Sequence, residues 1–213
     1  MESTTHRAEP GRAARSTRLP REQRRRQLLD SAGAVFAANG YHATVMDDIA
    51  EAAGVSKPVL YQHFPSKLDL YLALLDASAD QVVELVSGAM AATDDNADRV
   101  SSAIGAFYAY VTEHQTFRLI FETDLNPDPR VRDLVWRIHT DLAEAIGQVI
   151  ALDTRLPADE ARLLGVSLVG LAQVSARYWT NESSGIGQAR AVELVSQLAW
   201  RGIRAFPRVT ANA

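Results

Sequence analysis

Between Thr44 and Lys67 the sequence TVMDDIAEAAGVSKPVLYQHFPSK gathers several hydrogen-bond donors: the Tyr61 phenol, the His63 imidazole and the Lys57 and Lys67 ammonium groups. Each can donate to a phosphate oxygen. Gln62 carries a carboxamide that can pair two-fold with an adenine edge, and Val59 or Pro58 can pack on a thymine methyl. Such a set reads a duplex only if a rigid element presents it.

The same stretch encodes that element. Val45, Met46, Ile49, Ala50 and Ala53 recur at helical spacing, so a first short helix has an apolar face. Thr44 is its expected N-cap, and Asp47 and Asp48 suit its first turn, where the helix dipole favours negative charge. Gly54 ends it, since a glycine takes positive φ without strain. Ser56 is the expected cap of the next helix, and Pro58 falls in its first turn, where a missing N–H does no harm. Leu60 and Phe64, four apart, turn that helix inward. Two helices joined by a tight turn, the second free to enter a major groove, make a helix-turn-helix.

From Asp47 to Lys67 the order D-D-I-A-E-A-A-G-V-S-K-x-x-L-Y-x-H-F-x-S-K resembles the TetR family of bacterial transcriptional regulators. The likeness extends upstream through QLLDSAGAVFAANGYHAT, Gln27 to Thr44, and covers the N-terminal third of the chain. The resemblance implies phosphate contacts from Tyr61, His63 and Lys67, with Thr44 also at the backbone. It places Ser56, Lys57, Pro58, Val59 and Gln62 at the N-terminus or outer face of the recognition helix. The family often has Gly-Thr or Gly-Ser where this chain has Pro58-Val59, and an aromatic where it has Gln62. Both departures fall on groove-facing positions and imply an altered operator.

The chain has 213 residues and a formal charge of −4. That charge is unevenly spread. Residues 1–67 hold 10 Lys+Arg against 7 Asp+Glu, whereas residues 68–213 hold 12 against 19. A basic end and an acidic body fit a partner that is DNA. The only two lysines, Lys57 and Lys67, both lie in the helix-turn-helix, beside 20 arginines elsewhere. They are either survivors of a bias towards arginine or groups selected as phosphate contacts. The chain has no cysteine and no apolar run long enough to span a membrane. A cytoplasmic protein with no membrane partner, cofactor or metal is expected.

Residues 1–20 are rich in Arg, Ala, Ser, Thr and Pro and are expected to form a disordered basic arm. Arg7, Arg12, Arg15 and Arg18 either follow DNA or belong to a solvated tail, and Arg21, Arg24, Arg25 and Arg26 carry the charge into the first helix. The expected DNA-binding domain spans 21–67, and 68–213 form a helical effector-binding and dimerisation domain. The whole is all-α, with about nine helices. Helix 1 stops at Gly40, and Ser66 and Asp69 open a long helix 4 as a capping box. A short sixth helix is expected around Phe117 to Phe121. Asp128 and Pro129 start the seventh, Leu156-Pro157 the eighth, and the ninth begins near Gln188.

Phe107, Tyr108, Phe117, Phe121, Trp136 and His139 form an aromatic stripe that serves either a solid core or, by the resemblance, a pocket for an inducing small molecule. Helix 8 mixes Gly165, Ser167, Gly170, Ala172, Ser175 and Ala176 with Leu164, Leu168, Leu171 and Val174. With the apolar helix 9, it either pairs two subunits or closes the monomer's own core. Catalytic signatures are missing: H-E-x-x-H, P-loop, G-x-S-x-G and dinucleotide fingerprint. The expected protein is a homodimeric, ligand-responsive regulator, most readily a repressor released from a pseudo-palindromic operator by an apolar or amphipathic effector. Regulation without a ligand, activation, and a helical enzyme that keeps the motif as scaffold are the alternatives.

Overall fold

The recognition segment hangs on a first helix that packs across it. In the computed structural model, which describes residues 19–114, 128–181 and 185–203, α1 spans Arg21–Ala43 and buries Leu28, Ala32 and Phe36. Gly40, at φ 76° and ψ 164°, breaks it where the sequence places its stop. Next come α2 (Met46–Ala52), α3 (Lys57–His63) and α4 (Lys67–Ala91). At 1.5 Å per residue, the 25 residues of α4 extend about 37 Å. Beyond them lie α5 (Asn96–Glu113), α6 (Pro129–Asp153), α7 (Ala158–Asn181) and α8 (Gln188–Ile203). The described residues thus form eight helices. The expected sixth helix, with Phe117 and Phe121, and the basic arm up to Arg18 lie outside them. Consequently α7 and α8 are helices 8 and 9 of the expected order.

Most helix starts follow the sequence signals. Ser66 accepts the Asp69 N–H at 3.1 Å and donates to its carboxylate at 2.7 Å. Asp95 accepts two N–H groups at α5, and Asp128 accepts that of Arg130 at 2.9 Å at α6. Two caps differ from expectation. The N-cap of α2 is Val45, not Thr44, and its N–H is held by the Asp48 carboxylate at 3.0 Å. Val45 is therefore exposed instead of joining the apolar face. Ser56 holds the N-cap position of α3 without a side-chain capping bond; its carbonyl accepts the Val59 and Leu60 N–H groups.

Two apolar cores succeed each other along α4. One joins Phe36, Ile49, Leu60 and Phe64 of the head to Leu70, Tyr71 and Leu74 of α4 and to Val131, Leu134 and Ile138 of α6. The other joins the second half of α4 to α5, α6, α7 and α8. At the α6–α7 crossing a Cβ on Gly165 would lie 2.2 Å from the Ala143 carbonyl oxygen, and one on Gly147 would lie 3.0 Å from Arg162 Cα. Gly165 thus serves contact within the subunit, whereas Gly170 has open space where its Cβ would be. Leu171 and Ala172 pack inward.

Candidate functional site

The turn between α2 and α3 is fixed by the backbone alone. Gly54, at φ 63°, donates to the Glu51 carbonyl at 3.0 Å while Val55 donates to that of Ala50 at 3.0 Å. This paired closure of a helix end needs the left-handed conformation at Gly54. Gln27 of α1 reaches across and donates to the Ala53 carbonyl at 3.0 Å. With Leu60 and Phe64 buried, α3 turns Lys57, Pro58, Tyr61 and Gln62 to solvent, two rows four residues apart on one face. Val59 and His63 are half-buried at its margins, and Ser56 is exposed at its start.

The electrostatics of this face are local. Lys57 Nζ lies 2.7 Å from the Asp47 carboxylate, whose hydrogen bond and charge raise the ammonium's pKa. Burial depresses the His63 imidazole, and the charges of Arg21, Arg25 and Arg24 depress it further. The Arg25 guanidinium stands 4.5 Å from the Phe64 ring centroid. Positions 21, 24 and 25 share one turn of α1, so their arginines form a basic rim around the end of α3. The sequence shows those charges, but only packing of α1 on α3 reveals that they border the recognition face.

Two expected phosphate contacts are corrected. Thr44 is fully buried, and its hydroxyl donates to the Gly40 carbonyl at 2.7 Å, closing α1. Lys67 Nζ donates to the carbonyls of Thr44 at 2.7 Å, Tyr41 at 2.8 Å and His42 at 3.4 Å. It also stands 4.4 Å from the Tyr41 ring centroid. An ammonium has three N–H groups, and those carbonyls account for them.

A second site lies beyond the head. A cavity of about 110 Å³ is enclosed between α4, α5, α6 and α7, with Trp200 of α8 at its edge. Its walls are mostly apolar, Val86 and Met90 from α4 and Phe107 from α5 among them. One end is polar: Arg99 meets Asp153 at 2.9 Å, Asn96 at 2.9 Å and the Thr93 carbonyl at 2.8 Å. Of the aromatic stripe, Phe107 lines the cavity. Tyr108 is core: its hydroxyl donates to Ser175 Oγ at 2.8 Å, its ring lies 5.4 Å from Trp179, and burial raises its pKa. Trp136 is 71% exposed and lines nothing. His139 is half-buried, outside the cavity lining, with its pKa lowered by burial. Phe117 and Phe121 lie outside the described residues. The sequence reading missed Arg99 and Asp153, which sit 54 positions apart and meet only through the α5–α6 packing.

Comparison with known proteins bears on both sites. The family described as bacterial regulatory proteins, tetR family, matches residues 28–74. The HTH-type transcriptional activator FasR of Mycolicibacterium smegmatis is 46% identical over 195 residues, covering 91% of this chain and 89% of that protein. The chain belongs to the TetR family. A TetR-like regulator from Rhodococcus sp. RHA1 superposes with a TM-score of 0.68 at 28% identity, over 88% of this chain and 99% of that one. The transcriptional regulator FadR of Bacillus subtilis, solved with stearoyl-CoA, gives 0.69 over 82% and 96% at 18% identity, a likeness of fold. This TetR-family chain is therefore an effector-responsive, DNA-binding transcriptional regulator and not an enzyme.

Proposed function

We propose that the regulator works in the cytoplasm as a homodimer on a pseudo-palindromic operator and that a small apolar or amphipathic molecule in the α4–α7 cavity sets its affinity for DNA. The exposed row of α3 enters the major groove: Gln62, Pro58 and Val59 meet base edges, and Ser56, Lys57, Tyr61 and His63 meet phosphates or neighbouring edges. Two such helices must stand about 34–36 Å apart to fit successive grooves.

One observation carries the reading. Helix α4 is unbroken from Lys67 and Tyr71, in the head, to Val86 and Met90, in the cavity wall. A molecule that moves the far end of a rigid helix moves its near end, and so shifts the population of DNA-competent dimers. The dimer reading rests on the outer face of α7. Leu163, Val166, Val174 and Tyr178 are exposed at helical spacing, and Leu194 and Leu198 of α8 are exposed too. Such an apolar stripe is what a second copy would cover.

For the direction of control we take activation over the repression that the sequence reading favoured. A protein 46% identical over 91% of the chain is named an activator. The test is transcription in vitro from a template bearing a duplex selected by the protein from a random pool. Ligands that copurify, identified by native mass spectrometry, are then added back. Activation predicts more transcript when the dimer is bound. Less transcript would restore repression, and selection of no duplex would sink the reading as a whole.

A further inference from the structure

The environment of Lys67 is built, not incidental. The residue opens α4, yet its side chain runs back to the far end of α1. The carbonyls it meets, those of Tyr41, His42 and Thr44, come just after the break at Gly40. Carbonyls at a helix end lack partners one turn on and carry the negative end of its dipole. One ammonium satisfies them together. The Tyr41 ring beneath it adds a cation–π contact and is itself fixed, 5.8 Å from Phe36 and 4.9 Å from Tyr71. Tyr71 lies one turn of α4 beyond Lys67, so α4 grips Tyr41 at two points on one face. Burial raises the Tyr41 pKa, and the Asp128 carboxylate at the start of α6 raises it further. The starts of both α4 and α6, whose later turns wall the cavity, therefore converge on this residue.

The reading head itself begins immediately after Thr44. Val45 caps α2, and Asp47 of α2 holds Lys57 of α3. We propose that Lys67 is a positioning residue and not a phosphate contact: its ammonium, caged by the Tyr41, His42 and Thr44 carbonyls, fixes the start of α4 against the turn into α2 and thereby sets the angle at which α3 meets DNA. The inference rests on the DNA-binding function proposed for α3. It differs in what it makes of the lysine's charge: the charge is used inside the protein.

Lys67→Arg separates the two roles. Arginine keeps the positive charge, and a phosphate contact tolerates it. Its planar fork cannot offer three N–H groups to three carbonyls set around one point. Lys67→Met removes charge and donors together. Binding is measured to the selected operator and to an unrelated duplex over a range of salt, with melting temperature followed in parallel. Loss of alignment with one base pair's worth of readout weakens operator binding about ten- to a hundredfold. We expect that loss in Lys67→Arg, with affinity for the unrelated duplex and the salt slope unchanged. A phosphate contact would instead leave Lys67→Arg near wild type. In Lys67→Met it would weaken both duplexes alike and flatten the slope by about 0.9 per subunit. Either result overturns the proposal. So does a folded Lys67→Met with wild-type operator affinity, or loss of the fold in both variants, which would make the lysine a plain structural residue. If the wild-type protein selects no operator, the DNA-binding reading falls first and this one with it.

Discussion

Val174→Asp tests the dimer. The side chain is 63% exposed in the subunit, in line with Leu163, Val166 and Tyr178 on α7. Full burial of a valine is worth about 1.5–3 kcal/mol, so covering its exposed part contributes about 1–2 kcal/mol. A two-fold axis doubles every contact, so loss of this apolar burial alone costs the dimer about 2–4 kcal/mol. That raises the dissociation constant about thirty- to several-hundredfold, before the cost of desolvating two carboxylates is added. Sedimentation velocity at micromolar concentration should show a dimer for the wild type and monomers for the variant. Far-UV circular dichroism should not change, because the exposed part of Val174 supports nothing within its own subunit. Leu85→Asp is the control: it is exposed on α4, away from this face. A Val174→Asp protein as dimeric as wild type, or equal dissociation by Leu85→Asp, would refute the placement of the interface. Leu171 is a poor test, since it packs inward and a charge there attacks the subunit core.

Ala103→Phe should fill the cavity of about 110 Å³, so that native mass spectrometry finds no small molecule retained where the wild type retains one. Gly165→Ala forces a methyl to within 2.2 Å of the Ala143 carbonyl oxygen; it should destabilise the fold by at least about 1–3 kcal/mol, read as a lower melting temperature. Gln62→Ala should relax preference at one base pair without changing the salt slope, read by selection from a random pool. His63 has a folded pKa below its ordinary 6.5, so the unfolded chain binds more protons near that pH. Its contribution to stability is therefore present above pH 6.5 and is lost as pH falls towards the folded value. If a phosphate faces His63, binding favours the imidazolium, and operator affinity should rise as pH drops from 7.5 to 6 by up to about tenfold per histidine per pH unit. His63→Gln should flatten both profiles, in melting curves and in binding isotherms.

The sequence by itself determined whatever rests on neighbours along the chain. The helix boundaries at Gly40, Gly54, Ser66 and Asp128 are local events: a left-handed glycine, or a side-chain oxygen reaching an N–H two or three residues on. The outward row of α3 was equally legible, because Leu60 and Phe64 fix which way a seven-residue helix turns. Contacts between distant residues were decided only by tertiary structure. Lys67 looked like a free cation until the end of α1 supplied three carbonyls from 23 to 26 positions away. Thr44 looked like a cap for the helix after it and closed the one before, since both neighbours compete for the same hydroxyl. Trp136, Tyr108 and Phe107 share a composition and a periodicity. They ended on the surface, in the core and in a cavity wall, because an apolar ring has no preference among these until helices cross. Sequence periodicity says which face of a helix turns inward; only packing says whether that face meets another helix, an empty space or a second subunit.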